Sequence, residues 1–254
     1  MTNSQLSERN RAEVERSASE ASKVVVKPLP RAQIDRYINP PSDTHYGLEY
    51  AFYLLGDIRG KTVLDLGCGT GENVIPLIER GAHVIGIDIS PDLIAIAQKC
   101  VRDANLEASL SVGDAYNTGL PDESVDVVFS MALIHHLDIK VVRDEMWRIL
   151  RKSGVIILGE PVRFSKGYAW VRRLLPAKED ISEYEHPLNR EELATMMERF
   201  SVQGTRYFRL PFVPLASRLM PSKSADAYKA SDWILQRSAA AERYASAVVT
   251  RLQK

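Results

Sequence analysis

An α/β fold carrying a doubly wound parallel sheet is predicted by three features of this chain. Short apolar runs alternate with helical stretches from residue 61 onward, a rhythm that places helices on both faces of a parallel sheet. The runs 61–66 (KTVLDL), 83–88 (HVIGID), 125–130 (VDVVFS) and 155–158 (VIIL) are largely apolar, as strands covered on both faces must be. Glycines at alternate positions, Gly67, Gly69 and Gly71, follow the first run and precede a helix.

The elements follow in order. Residues 1–23 are rich in Ser, Glu and Arg, and read as a weak helix or a disordered arm. Pro28, Pro30 and Asn39-Pro40-Pro41 then lead to an aromatic helix over 44–55, with Tyr46, Tyr50, Phe52 and Tyr53, stopped by Gly56. The strand at 61–66 passes through the glycines into a helix near 73–80, which Gly81 ends before the strand at 83–88. Ser90 caps the next helix and Pro91 fits its first turn. Strands at 110–112 and 125–130, an amphipathic helix over 138–151, a turn at Ser153-Gly154 and the strand at 155–158 complete the regular part. Beyond Pro161 the alternation lapses. Residues 161–189 read as a basic helical insert followed by a loop, 190–199 as a helix capped by Asn189, 201–210 as a strand, and 223–243 as Ala-rich helix. The closing 245–252 fits either a helix end or a last strand.

Composition narrows the function. At 254 residues the chain supports one good-sized core without metal or disulfide staples. Lys+Arg 33 against Asp+Glu 33 argues against a nucleic-acid binder, whose affinity comes from displacing counterions with Lys and Arg. Cys68 and Cys100 form no secreted-type framework, and two thiols exclude chemistry that needs several. Cys68 suits the space between two glycines rather than a nucleophile's role, and no metal site is expected. No run approaches the roughly 20 apolar residues of a membrane span, and the polar first twenty residues are unlike a signal peptide. A reduced, soluble, cytoplasmic protein is the expectation.

The chemistry concentrates at the glycines. Glycine there allows a sharp turn and direct contact between ligand and main chain, and the helix start offers free N–H groups. Asp88 ends the next strand, 21 residues after Gly67, where a carboxylate accepts both hydroxyls of a ribose. Gly113-Asp114-Ala115 follows the third strand, and Asp114 suits either an exocyclic amine such as adenine's or an ordinary turn. A dinucleotide fingerprint needs a third glycine where Glu72 stands, which disfavours a nicotinamide oxidoreductase. Gly60-Lys61-Thr62 is no phosphate loop, because Leu55 holds the position of its first glycine. An adenosine ligand without phosphates is left.

The segment Asp65-Leu66-Gly67-Cys68-Gly69-Thr70-Gly71 with Asp88 resembles the signature of class I S-adenosylmethionine-dependent methyltransferases, over roughly 44–160. The small-molecule branch is similar also in Gly113-Asp114-Ala115, in 129–137 (FSMALIHHL) and in Arg148-Ile149-Leu150. The resemblance implies a Rossmann-like sheet of seven strands, order 3-2-1-4-5-7-6 with the last antiparallel, so that 245–252 becomes a strand. It implies an N-terminal arm and cap helices (1–55), a cofactor-binding core (56–160), and a substrate-side insert with closing elements (161–254). It puts Asp65 and Gly67, Gly69 and Gly71 along the methionine part of S-adenosyl-L-methionine and Asp88 on the ribose. Ile89 flanks the adenine, Asp114 and Ala115 reach its edge, Ser130 and Met131 close the near side, and Tyr46 meets the cofactor or merely packs.

The reaction so implied is methyl transfer to an O, N, S or C atom of a small molecule. The alternative is a cofactor-binding protein of the same fold that transfers no methyl, such as a cyclase or partner module. Displacement at a sulfonium needs positioning and exclusion of water more than acid–base help. Where the acceptor must lose a proton, His135 and His136 are the candidate bases, at the carboxyl end of the fourth strand. The same pair also suits one histidine capping the next helix while the other packs. His186 is a further candidate, and a loop histidine otherwise. Asn39-Pro40-Pro41 resembles a base-methylating motif, but Ser42 stands where that motif has an aromatic ring, so nucleic-acid methylation is not expected. Arg163, Lys166, Arg172 and Arg173 form a solvated face or favour an anionic acceptor.

Overall fold

In the computed structural model of the chain, residues 11, 13–19, 21, 29–165 and 186–254 are described. The strands are β1 (Thr62–Leu66), β2 (His83–Asp88), β3 (Ser109–Val112), β4 (Val125–Met131), β5 (Leu150–Pro161), β6 (Ser201–Phe208) and β7 (Ala247–Gln253). They form one sheet in the order β3-β2-β1-β4-β5-β7-β6. Pairing is parallel from β3 through to β5, and antiparallel where β7 lies between β5 and β6. The closing residues are therefore a strand. Val248, Val249, Thr250 and Leu252 are buried between two hydrogen-bonding neighbours, a setting that outweighs the helical reading of an Ala-containing segment.

Helices cover both faces. They are α1 (Arg31–Ile38), α2 (Gly47–Leu55), α3 (Val74–Glu79), α4 (Pro91–Asp103), α5 (Ile139–Ile149), α6 (Arg190–Met197), α7 (Phe212–Leu219) and α8 (Ser224–Arg237). Neighbours along β1 face opposite layers. Val63 packs with Phe52, Leu77 and Phe129, whereas Leu64 packs with Val128, Met146 and Ile156. Capping follows the expected chemistry: Ser90 Oγ accepts from Leu93 N, and Asn189 forms a full capping box with Glu192.

Some boundaries depart from the sequence expectation. Helix α5 stops at Ile149, and the expected Ser153-Gly154 turn lies inside β5 as a bulge. Leu150 already pairs with Val125, and Val155 pairs with Val127, so the four residues 151–154 stand opposite Asp126 alone and Ser153 takes φ +63°. The Ala-rich stretch breaks after α8, where Ser238 is extended, and continues as a 3₁₀ turn over Ala239–Tyr244. Helix α7 has no counterpart in the sequence reading. Most of the basic insert (166–185), with Lys166, Arg172 and Arg173, lies outside the described residues.

One arginine ties the cap to the sheet. The half-buried Arg80 side chain donates to the carbonyl oxygens of Phe52 and Gly56, both at 2.5 Å, and so closes the C-terminal end of α2. Burial lowers its pKa, from a value so high that the charge persists. Arg80→Ala leaves those carbonyls unpaired at a cost of roughly 1–3 kcal/mol. A thermal melt should show a loss of about 2–4 °C per kcal/mol for a chain of this length.

Candidate active site

The carboxyl end of β1 meets that of β2 at the glycine turn. Gly67 N and Cys68 N both donate to Ile87 O, at 2.8 and 3.1 Å, so the turn is pinned to the neighbouring strand. Gly67 has φ +76°, and a Cβ there would sit 2.9 Å from Leu133 Cδ1. Gly69 has φ +51° and nothing within 4 Å of its Cβ position, so its open side is available for a ligand against bare backbone.

Two carboxylates flank this turn. Asp65 is buried in β1, and neither of its oxygens has a hydrogen-bond partner. Burial first, and the negative charge of Asp88 second, push its pKa up to about 8. Asp88 Oδ2 accepts from Gly69 N and Oδ1 from Ser90 N, both at 2.9 Å, so the carboxylate clasps the glycine turn and the start of α4 together. Burial raises its pKa, and these two N–H groups work against that rise. Each oxygen keeps a second lone pair for another donor. The Cys68 thiol is pushed far up by burial, so it is no nucleophile at neutral pH.

Two cavities open at this edge of the sheet. The smaller, of about 150 Å³, is lined by Gly67, Asp88, Ile89, Asp114 and Ala115, with Glu13, Arg16 and Ser17 of the helical residues 13–19 on its other side. The larger, of about 730 Å³, is lined by Tyr46, Tyr37, Met131, Phe208, Arg209 and Tyr228 among others. Ala132 lines both, in the left-handed region at φ +56°, with its N–H donating to Gly159 O at 2.7 Å. A non-glycine residue held there is strain stored where the two cavities come together.

The expected residues thus separate. Gly67, Asp88, Ile89, Asp114 and Ala115 come together around the smaller cavity, while Tyr46 and Met131 belong to the larger. Asp65, Gly69, Gly71 and Ser130 line neither. Ser130 is fully buried, its hydroxyl without a partner. Asp114 Oδ1 accepts from Tyr116 N at 2.8 Å, so its turn-forming role is present as well. Tyr46 tilts against Tyr228 at 5.0 Å, whereas Tyr37 stacks on Phe52 at 4.7 Å as packing.

The histidines are held by a residue that the sequence reading passed over. Buried Glu160, on β5, accepts through Oε1 from Leu133 N (3.0 Å) and Ile134 N (2.8 Å). Its Oε2 accepts from His135 N (3.3 Å) and lies 2.8 Å from His135 Nδ1. Nδ1–H of His135 thus points at this carboxylate. Four donors occupy the four acceptor sites of Glu160, which makes it an anchor for the turn at Ile134–His136 rather than a base. His135 is buried and lines neither cavity; His136 lines the smaller one, its Nδ1 3.5 Å from Glu13 Oε2. His186 is exposed, pairs with Glu192 at 2.7 Å and lines neither cavity. Glu160 was findable from its place at the carboxyl end of the fifth strand. Glu13 and Arg16 carried no signal, since a polar helix reads the same whether it covers a site or solvent.

The donor set fits an adenosine sulfonium. An acid with spare lone pairs stands beside apolar Ile89 and Ala115, an open glycine backbone follows, and a buried carboxyl without a partner lies just behind it. Residues 64–158 match the family described as "Methyltransferase domain". A demethylmenaquinone methyltransferase of Tropheryma whipplei is 31% identical over 182 residues, which cover 64% of this chain and 75% of that protein. The chain belongs to the S-adenosylmethionine-dependent methyltransferases.

Solved methyltransferases share the architecture. A geranyl diphosphate C-methyltransferase from Streptomyces coelicolor A3(2) superposes with a TM-score of 0.58 at 17% identity, over 90% of this chain and 89% of its own. A SAM-dependent methyltransferase from Archaeoglobus fulgidus does so at 0.55 and 20% identity, over 80% and 90%. As a methyltransferase the protein takes S-adenosylmethionine as cofactor and a small molecule as acceptor, which sets aside both the oxidoreductase and the non-transferring reading. Among the described residues, no helix is long and apolar enough to cross a membrane.

Proposed function

We propose a division of labour between the two cavities: the smaller takes the adenosine of the cofactor, and the larger takes the methyl acceptor. Asp88 holds the ribose hydroxyls, Ile89 and Ala115 flank the adenine, and Asp114 takes its amine. The residues 13–19 cover that nucleoside, with Arg16 and Glu13 bonded to each other at its rim. Gly67, Gly69 and Gly71 carry the methionine part toward Asp65, and Met131 with Tyr46 stands on the acceptor side. When bound, S-adenosylmethionine supplies a methyl group on a positively charged sulfur with a good leaving group.

The residues of this chain contribute position and dryness. Tyr37, Tyr46, Phe208, Tyr228 and Met131 present aromatic and thioether surface to the larger cavity, which suits an acceptor with an apolar body whose polar end faces Arg209. The relative named for demethylmenaquinone supports an acceptor of that kind. Glu160 holds the His135 ring inside the turn at Ile134–His136, and His136 closes the nucleoside side; neither histidine lines the acceptor cavity. We place the enzyme in the cytoplasm, without a nucleic-acid partner, on its balanced charge and two free thiols.

The observation that carries this reading is Asp88, bonded to the glycine turn and lining the smaller cavity. Asp88→Ala removes a charge-assisted pair worth about 1.5–3 kcal/mol, so calorimetry should show cofactor affinity falling roughly 10- to 150-fold. Unchanged affinity would mean that the ribose lies elsewhere. Release of S-adenosylhomocysteine with mixtures of apolar-bodied acceptors would then identify the acceptor.

A further inference from the structure

Helix α7 is inverted relative to an ordinary surface helix. Its apolar residues Phe212, Leu215 and Leu219 fall at i, i+3 and i+7 on one face, and all three are exposed, Leu219 to 67%. Only Val213 of this helix is buried. Met220 is exposed beside them, and Phe212 shares a shallow groove with Tyr244. Helix α8, packed against α7, also exposes Trp233, to 59%.

The charge around this ridge is one-sided, although the whole chain is neutral. Within 212–225 the only charged residues are Arg218 and Lys223, both exposed. Over 209–243 there are six basic residues (Arg209, Arg218, Lys223, Lys229, Arg237 and Arg243) against Asp226, Asp232 and Glu242. Asp232 is already paired with Arg206 at 2.5 Å. Arg237 lies over the Trp233 ring at 4.7 Å and Arg243 over Tyr244 at 5.1 Å, pairs whose flat apolar bodies and charged ends suit the boundary between headgroup and acyl chain.

We propose that α7 and the following turn over Pro221–Lys223 form a docking face for anionic lipid bilayers, with Phe212, Leu215 and Leu219 entering the interface and Arg218 and Lys223 on the headgroups. Charge complementarity favours a bilayer over a second copy. Two such faces packed on each other about a two-fold axis would oppose Arg218 and Lys223 with no acid in 212–225 between them. The face also adjoins the larger cavity: Arg209, three residues before Phe212, and Tyr228 of α8 both line it. Docking would set the rim of that cavity at the membrane, whichever acceptor is methylated.

Flotation with vesicles tests this on the full chain. The parent protein should float with vesicles of phosphatidylcholine mixed with phosphatidylglycerol, less so at high salt, and hardly with phosphatidylcholine alone. Both the pair Leu215→Asp with Leu219→Asp and the pair Arg218→Glu with Lys223→Glu should lower binding about tenfold or more. Cofactor affinity by calorimetry should stay at the parent value in both, since these side chains lie outside the core and the smaller cavity. Failure of the parent to float on anionic vesicles, or equal flotation of the charge-reversed variant, would overturn the proposal. So would a parent dimer in sedimentation that the same substitutions abolish, which would assign the face to a second copy.

Discussion

Asp65→Asn should raise the melting temperature at pH 8 and leave it nearly unchanged near pH 4. The Asp65 carboxyl has its pKa pushed from an ordinary 3.8 up to about 8, by burial first and by Asp88 second. Between those two values the folded chain holds a proton that the unfolded chain has lost. Stability therefore falls as pH rises from about 4 to about 8 by up to ~1.4 kcal/mol per pH unit, and is level on either side. Asparagine removes the titration, so the variant gains relative to the parent across that window, by a few kcal/mol at its upper end. Parallel melting curves for both proteins from pH 4 to 8 would contradict the burial of an unpaired carboxyl.

The same substitution should cost cofactor affinity. If the cofactor's sulfonium lies toward Asp65 as proposed, its positive charge would stabilise the ionised carboxylate, so binding near pH 7 should release a proton. Calorimetry in buffers of different ionisation enthalpy would count that proton, and Asp65→Asn should abolish it. The stability lost to this buried acid is thus recovered only when the site is filled, a trade of stability for function familiar in binding sites.

Glu160→Ala is expected to destabilise the protein by about 3–5 kcal/mol, because it strands three backbone N–H groups and the His135 ring in a buried place. At about 2–4 °C per kcal/mol, the melting point should drop on the order of 10 °C. Glu160→Gln keeps one acceptor oxygen and should recover part of the loss. Activity should fall further than stability explains, since the turn at Ile134–His136 carries Leu133 against Gly67. Full activity in a folded Glu160→Ala protein would show that the turn holds without its anchor.

Much of this site was legible because its residues act through backbone rules. A glycine turn between a strand and a helix, and an acid closing the next strand, are local patterns, and Gly67, Asp88 and Asp114 do lie together around one cavity. What local pattern could not separate is direction. Asp65 and Asp88 read alike as strand-end acids, yet one is sealed without partners and the other clasps two N–H groups. His135 and His136 are adjacent in sequence, but Glu160 draws one ring into the protein while the other faces the smaller cavity.

By itself the sequence determined the parallel strands, the helices between them and the glycine turn, because strand periodicity, capping and turn chemistry depend on near neighbours in the chain; the order of the strands and the strand at the C-terminal end followed from the family resemblance. Only the tertiary structure decided the β5 bulge, the placing of 13–19 against the smaller cavity, the Glu160 anchor and the exposed ridge of α7. Each of these depends on which side of an element meets a partner distant in sequence. An apolar or charged residue looks the same in a sequence whether it faces the core or the solvent.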